Sequence, residues 1–391
     1  MSPLLQRASR FATTRRVIAL GALVLTALVL MKLAAHHFDA SHFVMTGLPT
    51  CTPGDTPAPL TCPTQINRGY DGQFFYRLAL DPFTAKVTDF GITFDRPSYR
   101  HQRILLPFAA WVLSGGGHPA LALLALLVVN LAAGIALTAT ATKLATSLGA
   151  RPLWALGLSL YPGFLISIAR DLSEIAACSL LLGGMFLARR ARWWSASLIF
   201  FLAALTRETT LVVPAALLLV QFVLFLRGPR PKLSTMMACA WPLVAFLGWQ
   251  LLLMRVWGVA PALANRGTLL PPFVGLARFA VDAVRHAYVL DVIQISLLLA
   301  TIVVTGRALL RAEVPPWEKI AWGLYAVLAM LLSDQDHWND QASYLRVTTE
   351  LFVVSWPILL ASKGAFPRVL LGGWGALSVL HFVIAIDLLK F

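Results

Sequence analysis

One carboxylate in the sequence stands in a setting that suits chemistry. Asp71 lies between Gly69 and Gly72, and glycine permits a tight turn or a close backbone contact. Apolar residues then recur at helical spacing, at Phe74, Phe75, Leu78 and Ala79. The pattern predicts that Asp71 stands at the start of a helix, where the helix dipole and free N–H groups stabilise a carboxylate. Asp71 is therefore either a helix N-cap alone or a carboxylate of a functional site.

A basic segment follows in the same polar stretch of the chain. Residues 96–103 include three arginines and a histidine, directly before an apolar run. Arginine binds phosphate groups through a fork of parallel N–H donors. We expect Arg100, His101 and Arg103 to bind an anionic head group such as a phosphate or pyrophosphate. The alternative is that this segment only anchors the chain at a membrane surface through basic and aromatic side chains.

Three later segments place charged residues beside or within apolar sequence: 169–174, 205–209 and 334–350. Ionisable groups at membrane depth are costly unless they are paired or face a wet cavity. We expect these segments to line one polar cavity, and the alternative is salt bridges that only fix helix packing. The candidate ligand-binding residues in them are Arg170, Asp171, Glu174, Arg207, Glu208, Tyr344 and Arg346.

The elements that must position these residues are helices in a membrane. Of the 391 residues, 58% are hydrophobic and 13% are charged, against about 25% charged in an average soluble domain. The mean hydropathy is +0.74. These values exclude a soluble enzyme, a disordered chain and a fibrous repeat, and they predict an all-α polytopic membrane protein. The net charge of +14 fits basic cytoplasmic loops better than a nucleic-acid partner, so we expect no nucleic acid.

A transmembrane helix needs about 20 apolar residues, and the apolar runs predict a bundle of about eleven spans in a single membrane domain, 1–391. That domain divides into a cytoplasmic N-terminus with the first span (1–34), a long first loop (35–118) and the remaining bundle (119–391). The predicted spans are 17–33, 120–142, 153–169, 173–188, 194–206, 209–226, 236–254, 289–306, 320–333, 347–361 and 369–389. The run 104–113 is too short to span and predicts an interfacial or re-entrant helix.

Alternate short loops concentrate Lys and Arg, which places them and the N-terminus in the cytoplasm and the first loop on the opposite side. The Arg-rich loops and the lack of eukaryotic sorting signals favour a bacterial inner membrane with a periplasmic first loop. A second outer segment, 255–288, includes a predicted amphipathic helix over 273–288. It either lies on the membrane as a connector or covers the polar cavity.

The sequence contains four cysteines. Cys51 and Cys62 bracket a Pro- and Thr-rich stretch, which favours a disulfide if that side is oxidising. Cys178 and Cys239 lie in apolar runs and are expected to be core residues.

Asp334 and Asp336 are the pair that could hold a divalent ion. Arginines can neutralise a phosphate without a metal, so we expect no metal and no other cofactor.

The segment around Asp71 also resembles a known motif. It reads Tyr70-Asp71-Gly72-Gln73-Phe74-Phe75-Tyr76-Arg77-Leu78-Ala79. This is similar to the (W/Y)-D-G-x-x-(F/Y)-x-x-(I/L)-A motif of several branches of the GT-C glycosyltransferase superfamily, including the glycosylphosphatidylinositol mannosyltransferase-like proteins. The extension through 99–107 resembles a group of bacterial membrane proteins associated with cell-surface glycopolymer formation. The first loop lacks the paired D-x-D or E-x-D of better-known members.

The resemblance implies a GT-C-like bundle with juxtamembrane helices in the first periplasmic loop. It implies a polyprenyl-phosphate sugar as donor and a cell-envelope glycan, lipid or glycoprotein as acceptor. It places the family's general base on Asp71, in an inverting displacement. We expect the donor phosphate at Arg207 and Arg346 first, followed by Arg100, His101 and Arg103, and we expect Tyr70 and Gln73 as further substrate contacts. Asp171, Glu174 and Glu208 are second candidates for the base and are expected to pair with arginines or to bind sugar hydroxyls. Two alternatives are a lipid-linked glycan transporter or flippase and an enzyme like the O-antigen ligases or polymerases. A transporter would show an internal two-fold repeat.

Overall fold

The structure is a computed structural model that describes residues 3–63, 69–228, 230–264, 269–333, 337–338, 341–362 and 364–386, without the side chains of 3–12 and 341–342. The described residues are mostly helical, with one hairpin of two short strands, β1 and β2. The first half of the chain contains α1 Pro3–Ala35, α2 Gly72–Leu80, β1 Thr88–Asp89, β2 Ile92–Thr93, α3 Pro97–His101, α4 Leu105–Leu113, α5 Pro119–Ser147, α6 Trp154–Ser159, α7 Pro162–Ala169, α8 Glu174–Ala188 and α9 Trp193–Thr206.

The second half contains α10 Val212–Arg227, α11 Leu233–Trp257, α12 Pro261–Ala264, α13 Val274–Arg285, α14 Val289–Leu309, α15 Pro316–Leu331, α16 Gln341–Val347, α17 Thr349–Ala361 and α18 Ala365–Ala385. Two single turns of 3₁₀-helix, Ala40–Phe43 and Glu208–Leu211, complete the described elements. The predicted helix at 104–113 is present as α4, and the amphipathic segment 273–288 is present as α13. Only a few α13 residues are buried, and these lie at helical spacing: Gly275, Leu276, Phe279 and Ala283.

Six helices in the described part of the chain are long and apolar enough to cross a membrane: Thr13–Ala35, Pro119–Ser147, Glu208–Arg227, Leu233–Trp257, Val289–Leu309 and Ala365–Ala385. They indicate a helical, membrane-embedded protein, as the sequence predicts. The predicted number of about eleven spans is not confirmed. Three of the other predicted spans are shorter apolar helices: Glu174–Ala188, Trp193–Thr206 and Thr349–Ala361. The predicted span 320–333 corresponds to α15, which has 16 residues.

The predicted span 153–169 is two short helices, α6 and α7. Tyr161 between them has an extended backbone (φ −53°, ψ 135°), and Pro162 begins α7. A residue before proline avoids the α conformation, and proline has no N–H to continue the hydrogen-bond ladder. An apolar run alone cannot reveal this break, although Pro162 marks its position.

The short helices end beside the middle of longer ones. At about 1.5 Å per residue, α8 (15 residues) is about 22 Å long and α5 (29 residues) about 44 Å. A Cβ added to Gly134, halfway along α5, would lie 3.0 Å from Cδ1 of Ile175 in the first turn of α8. The N-terminus of α8 therefore lies level with the centre of α5. Because the charged residues occupy such ends, they sit within the length of the bundle.

The polar loop after α1 is folded onto the bundle and held by several ties. A disulfide joins Cys51 to Cys62, and Cys51 forms an isolated β-bridge with Ile92. The N–H of Thr93 donates to the carbonyl of Thr50 at 2.7 Å. These ties couple the disulfide loop to strand β2, directly before the basic segment. The two other cysteines, Cys178 and Cys239, are free and buried, as predicted.

Candidate functional site

Asp71 immediately precedes α2, as predicted, but its side chain makes no capping hydrogen bond. Arg100 donates from Nη1 to Asp71 Oδ1 at 2.8 Å, and Arg346 donates from Nη2 to Oδ2 at 3.3 Å. The two oxygens of one carboxylate therefore face two guanidinium groups from opposite halves of the chain. The Asp71 side chain keeps 22% of its surface exposed, so a ligand can reach it. Asp71 therefore occupies the N-cap position of α2, but its carboxylate pairs with arginines instead of capping the helix.

The glycines around Asp71 allow its position. Gly69 has a φ of +63°, which favours glycine. A Cβ on Gly72 would lie 2.6 Å from the carbonyl oxygen of Arg170 and 2.8 Å from that of Val44. Any larger residue would push α2 away from both segments. Gly72 thus brings the Asp71 turn against the backbone at Arg170.

Arg100 is fixed by a second carboxylate. Its Nε and Nη2 donate to the two oxygens of Asp95, each at 2.8 Å, and its guanidinium lies 4.1 Å from the ring centre of Phe74. Bidentate Arg–carboxylate pairs set both distance and orientation. Asp95 therefore aims the remaining nitrogen, Nη1, at Asp71.

Arg346 is fixed in the same manner from the other side. Its Nε donates to Oε1 of Glu174 at 2.9 Å, and Arg207 Nη1 lies 2.9 Å from the same oxygen. Arg207 Nε in turn lies 3.0 Å from Oε1 of Glu350. Arg207, Glu174 and Glu350 are buried. This second layer lies at the ends of the short helices α8, α9 and α17 and supports Arg346 from behind.

A further ion pair, between Arg103 and Glu208, lies beside these residues. Arg103 donates to both oxygens of Glu208, at 2.9 and 2.7 Å, and its Nη2 also donates to the hydroxyl of Tyr99 at 2.7 Å. Glu208 begins the 3₁₀ turn after α9. The pair joins the basic segment to the end of α9.

The ion pairs unite residues from the segment around Asp71, the basic segment 96–103 and the three later charged segments. We define the charge cluster as the carboxylates of Asp71, Asp95, Glu174, Glu208 and Glu350 with the guanidinium groups of Arg100, Arg103, Arg207 and Arg346. Every member has an oppositely charged partner. Asp95 is a member that the sequence analysis missed, whereas Glu350 ends the predicted segment 334–350 but was not among the candidate ligand-binding residues. Asp95 lies just before the basic segment and Glu350 just after Arg346, but neither spacing reveals the pairing.

The ionisation of Asp71 follows from its neighbours. Burial raises the pKa of Asp71, but Arg100, Arg346 and Arg103 outweigh that effect and hold the pKa well below its usual range. The pKa of Asp95 is lowered as well, because the hydrogen bonds and charge of Arg100 outweigh burial. Both groups are carboxylates at neutral pH.

Arg170 and Tyr70 adjoin Asp71. The guanidinium groups of Arg170 and Arg346 each lie 4.7 Å from the centre of the Tyr70 ring. The Tyr70 hydroxyl is 3.4 Å from Oγ of Ser343. Arg170 has no carboxylate partner among the described residues, unlike the arginines of the charge cluster. It is therefore the guanidinium beside Asp71 that is open to an incoming anion.

Two of the predicted substrate-contact residues, Gln73 and His101, lie away from Asp71. The side-chain oxygen of Gln73 accepts hydrogen bonds from the Gly47 N–H at 3.2 Å and the Thr50 hydroxyl at 2.9 Å, so Gln73 holds the disulfide loop. His101 is buried between the rings of Phe94 and Trp257, at 5.0 and 4.9 Å. Burial lowers the pKa of His101, so the imidazole is neutral at pH 7. The structure brings neither side chain to Asp71.

Two more predicted contacts are buried beside the cluster. The hydroxyl oxygen of Tyr344 lies 2.9 Å from Oδ1 of Asp291 and also contacts Oε1 of Gln294, so its one hydrogen is shared between these two acceptors. The Tyr344 ring stacks on Trp338, with 5.7 Å between the ring centres. Asp171 has a φ of +48° and no exposed surface, and its oxygens make no hydrogen bond within the described part of the chain. Neither residue is presented to solvent.

The sequence offered one pair of aspartates that could hold a divalent ion. Asp334 and Asp336 lie outside the described residues. Among the residues that are described, no group of three or more His, Cys, Asp or Glu side chains has an arrangement that could hold a metal ion.

Comparisons with known proteins add no family. No protein-family model and no curated protein matches the chain. The residues and geometry of the charge cluster and its neighbours are therefore the basis for assigning a function.

Proposed function

We propose that the protein is a membrane glycosyltransferase of the GT-C type. It transfers a sugar from a polyprenyl-phosphate donor to a cell-envelope glycan, lipid or glycoprotein, with Asp71 as the general base. One observation carries the proposal: a partly exposed, ionised carboxylate lies beside several guanidinium groups, of which Arg170 has no acidic partner among the described residues. Such a site offers a base and an anion-binding surface together.

The chemistry assigns one task to each part of the site. The acceptor hydroxyl attacks the anomeric carbon of the sugar while Asp71 accepts its proton. The bond between that carbon and the donor phosphate breaks, and the electron pair leaves with the phosphate. Arginine side chains stabilise the negative charge that develops on the leaving phosphate. One carboxylate suffices for such an inverting displacement, because no covalent intermediate is formed.

The geometry sorts the arginines into two groups. Arg103 and Arg207 are buried and held by the carboxylates of Glu208, Glu174 and Glu350, so we assign them to positioning. Arg170 and Arg346 share the Tyr70 ring close to Asp71, and we assign the donor phosphate to them and to Arg100. This set of cations makes the reaction independent of a metal.

The setting of the site agrees with a lipid-linked donor. The charge cluster lies at the ends of short helices, within the length of a bundle that has six candidate spans. A phosphate on a lipid chain can enter such a site from the bilayer. The disulfide Cys51–Cys62 in the same loop supports an oxidising, periplasmic location, in a bacterial inner membrane with a cytoplasmic N-terminus.

A second candidate function is transport of a lipid-linked glycan. The observation that favours it is the break between α6 and α7 together with buried ion pairs at the level of the centre of α5. Interrupted helices and charges at such depth are common in transporters.

The experiment separates the two functions. The purified protein in lipid nanodiscs is given a panel of polyprenyl-phosphate sugars with envelope-derived acceptors, and free polyprenyl phosphate is measured. A transferase releases it only when donor and acceptor are both present. A transporter moves intact donor across proteoliposomes and releases none. Translocation without release for every donor that binds contradicts the proposed function.

A further inference from the structure

The carboxylate of Asp71 occupies the space between two arginines that are otherwise anchored. Arg100 has two nitrogens on Asp95 and only Nη1 on Asp71. Arg346 has Nε on Glu174 and Nη2 on Asp71. Both guanidinium groups would keep their positions if Asp71 withdrew. The site is therefore a preformed anion cradle with an internal carboxylate in it.

A phosphate suits the same cradle. Carboxylates and phosphates bind guanidinium forks with the same planar N–H geometry, and phosphate offers more acceptor oxygens. The charge cluster together with Arg170 contains five arginines and five carboxylates. Apart from Arg170, every arginine in this set already has a carboxylate partner, so a phosphate gains further guanidinium groups only if one carboxylate gives up its arginines.

Asp71 is the carboxylate that can do so. Its side chain is 22% exposed, whereas those of Glu174 and Glu350 are 1% and 2% exposed. The side chain of Glu208 is 25% exposed, but two hydrogen bonds from Arg103 hold it. The side chain of Asp95 is 35% exposed. Asp95 is tied to Arg100 by two hydrogen bonds and to the N–H of Arg96 by a third. Asp71 makes only one hydrogen bond to each arginine. It is thus reachable and held least firmly.

We propose that Asp71 is an internal stand-in for the donor phosphate, and that donor binding takes Arg100 and Arg346 from Asp71 and frees its carboxylate for the acceptor. This inference rests on the proposed function and adds an order of binding to it. Donor precedes acceptor, because the base is tied until the phosphate arrives. No covalent step is added, since only hydrogen-bond partners exchange.

This exchange of hydrogen-bond partners also makes the proton affinity of the Asp71 carboxylate depend on whether the donor is bound. Asp71 is faced by Arg100 and Arg103 of the basic segment and by Arg346 of α16, with Asp95 and Glu174 behind the first and last of these arginines. Once two of the arginines share their charge with a phosphate, the proton affinity of the Asp71 carboxylate rises. Without donor, the Asp71 carboxylate therefore remains a weak base.

The test measures binding without turnover. A short-chain polyprenyl monophosphate, which carries no sugar, is titrated into the wild-type protein and into Asp71→Asn in nanodiscs. Because the substitution removes a competitor for the arginines, we expect the variant to bind about tenfold more tightly. Asp71→Ser is measured in parallel, and both variants are checked for folding by thermal unfolding. Asp89→Asn serves as the matched control and keeps wild-type affinity, because this carboxylate of the β1–β2 hairpin is 25% exposed and pairs with Lys86 outside the charge cluster.

Three outcomes are distinguishable. Tighter binding by the folded Asp71 variants supports the inference. Unchanged or weaker binding in them, with binding still lost in Arg170→Gln, overturns the inference but leaves the proposed function in place. Failure of the wild-type protein to bind any polyprenyl monophosphate overturns both. Arg170→Gln is suited to this role because it leaves no carboxylate without its partner among the described residues.

Discussion

Asp71 and Arg346 lie 275 positions apart in the sequence, yet Nη2 of the arginine is 3.3 Å from Oδ2 of the aspartate. The contact joins the loop after α1 to helix α16. It also connects an exposed carboxylate to a buried layer of ion pairs at the ends of the short helices. Stability of the buried layer and chemistry at Asp71 therefore depend on one arginine.

The buried layer is expected to carry much of the stability at this end of the bundle. Removing one partner of a buried ion pair leaves an uncompensated charge and costs about 3–5 kcal/mol. Arg207 serves both Glu174 and Glu350, so Arg207→Gln should lower the free energy of unfolding by about that amount. Thermal or denaturant unfolding in detergent measures the effect. The control, Arg170→Gln, should change stability by less than about 1 kcal/mol. Equal stability of the two variants would show that the layer is not a structural support.

Gly72 should tolerate no side chain. A Cβ there would lie 2.6 Å from the carbonyl oxygen of Arg170, a backbone atom that cannot rotate away. We expect Gly72→Ala to destabilise the protein by about 1–3 kcal/mol and to displace Asp71 from Arg346. Gly248→Ala in α11 is the matched control, because nothing lies within 4 Å of its added Cβ. A Gly72→Ala protein with wild-type stability and activity would contradict the close contact between α2 and the Arg170 backbone.

The disulfide should stabilise the loop that carries Asp95. Closing a short loop contributes about 2–4 kcal/mol, and the bonded cysteines here are 11 positions apart. Reductant should therefore lower the unfolding temperature of the wild-type protein and loosen β2, which is tied to Cys51. The double variant Cys51→Ser/Cys62→Ser should start at the lower temperature and show no further response. A wild-type protein that is indifferent to reductant would show that the other ties of the loop suffice.

The pH dependence of stability should report the ion pairs of Asp71. Arg100, Arg346 and Arg103 outweigh burial and lower the folded-state pKa of Asp71. Its contribution is therefore fully present above the unfolded-state pKa of about 4 and is lost as the pH falls through the folded-state pKa. The stability difference between wild type and Asp71→Asn should be constant from pH 7 to about pH 5 and shrink below about pH 4. A difference that already shrinks between pH 7 and pH 6 would mean that the carboxylate is not paired as described.

The sequence predicts the membrane class and several local elements because these depend on nearby residues. The helix after Asp71, the short helix α4 and the amphipathic α13 each follow from apolar spacing over a few turns. The break between α6 and α7 follows from Pro162 and not from the apolar run, and the number of spans depends on how short helices pack against long ones. Apolar runs do not contain that information.

The sequence predicts which residues belong to the site better than it predicts which of them pair with each other. Charge next to apolar sequence pointed to Asp71, Arg100, Glu174 and Arg346, and the structure places all of them in one cluster. Which arginine holds which carboxylate depends on contacts between distant segments. The same limit applies to Gln73. It lies two positions from Asp71 in the sequence, but its side chain accepts a hydrogen bond from the N–H of Gly47.

In the proposed function, Asp71 takes the acceptor proton. The most direct test measures release of polyprenyl phosphate by wild type and Asp71→Asn, with the donor and acceptor that the panel identifies. Loss of a general base predicts a rate at least about 100-fold lower in Asp71→Asn, with donor binding retained and Asp89→Asn as active as wild type. Release by Asp71→Asn at the wild-type rate would contradict the claim and leave Asp71 as a partner of Arg100 and Arg346 only.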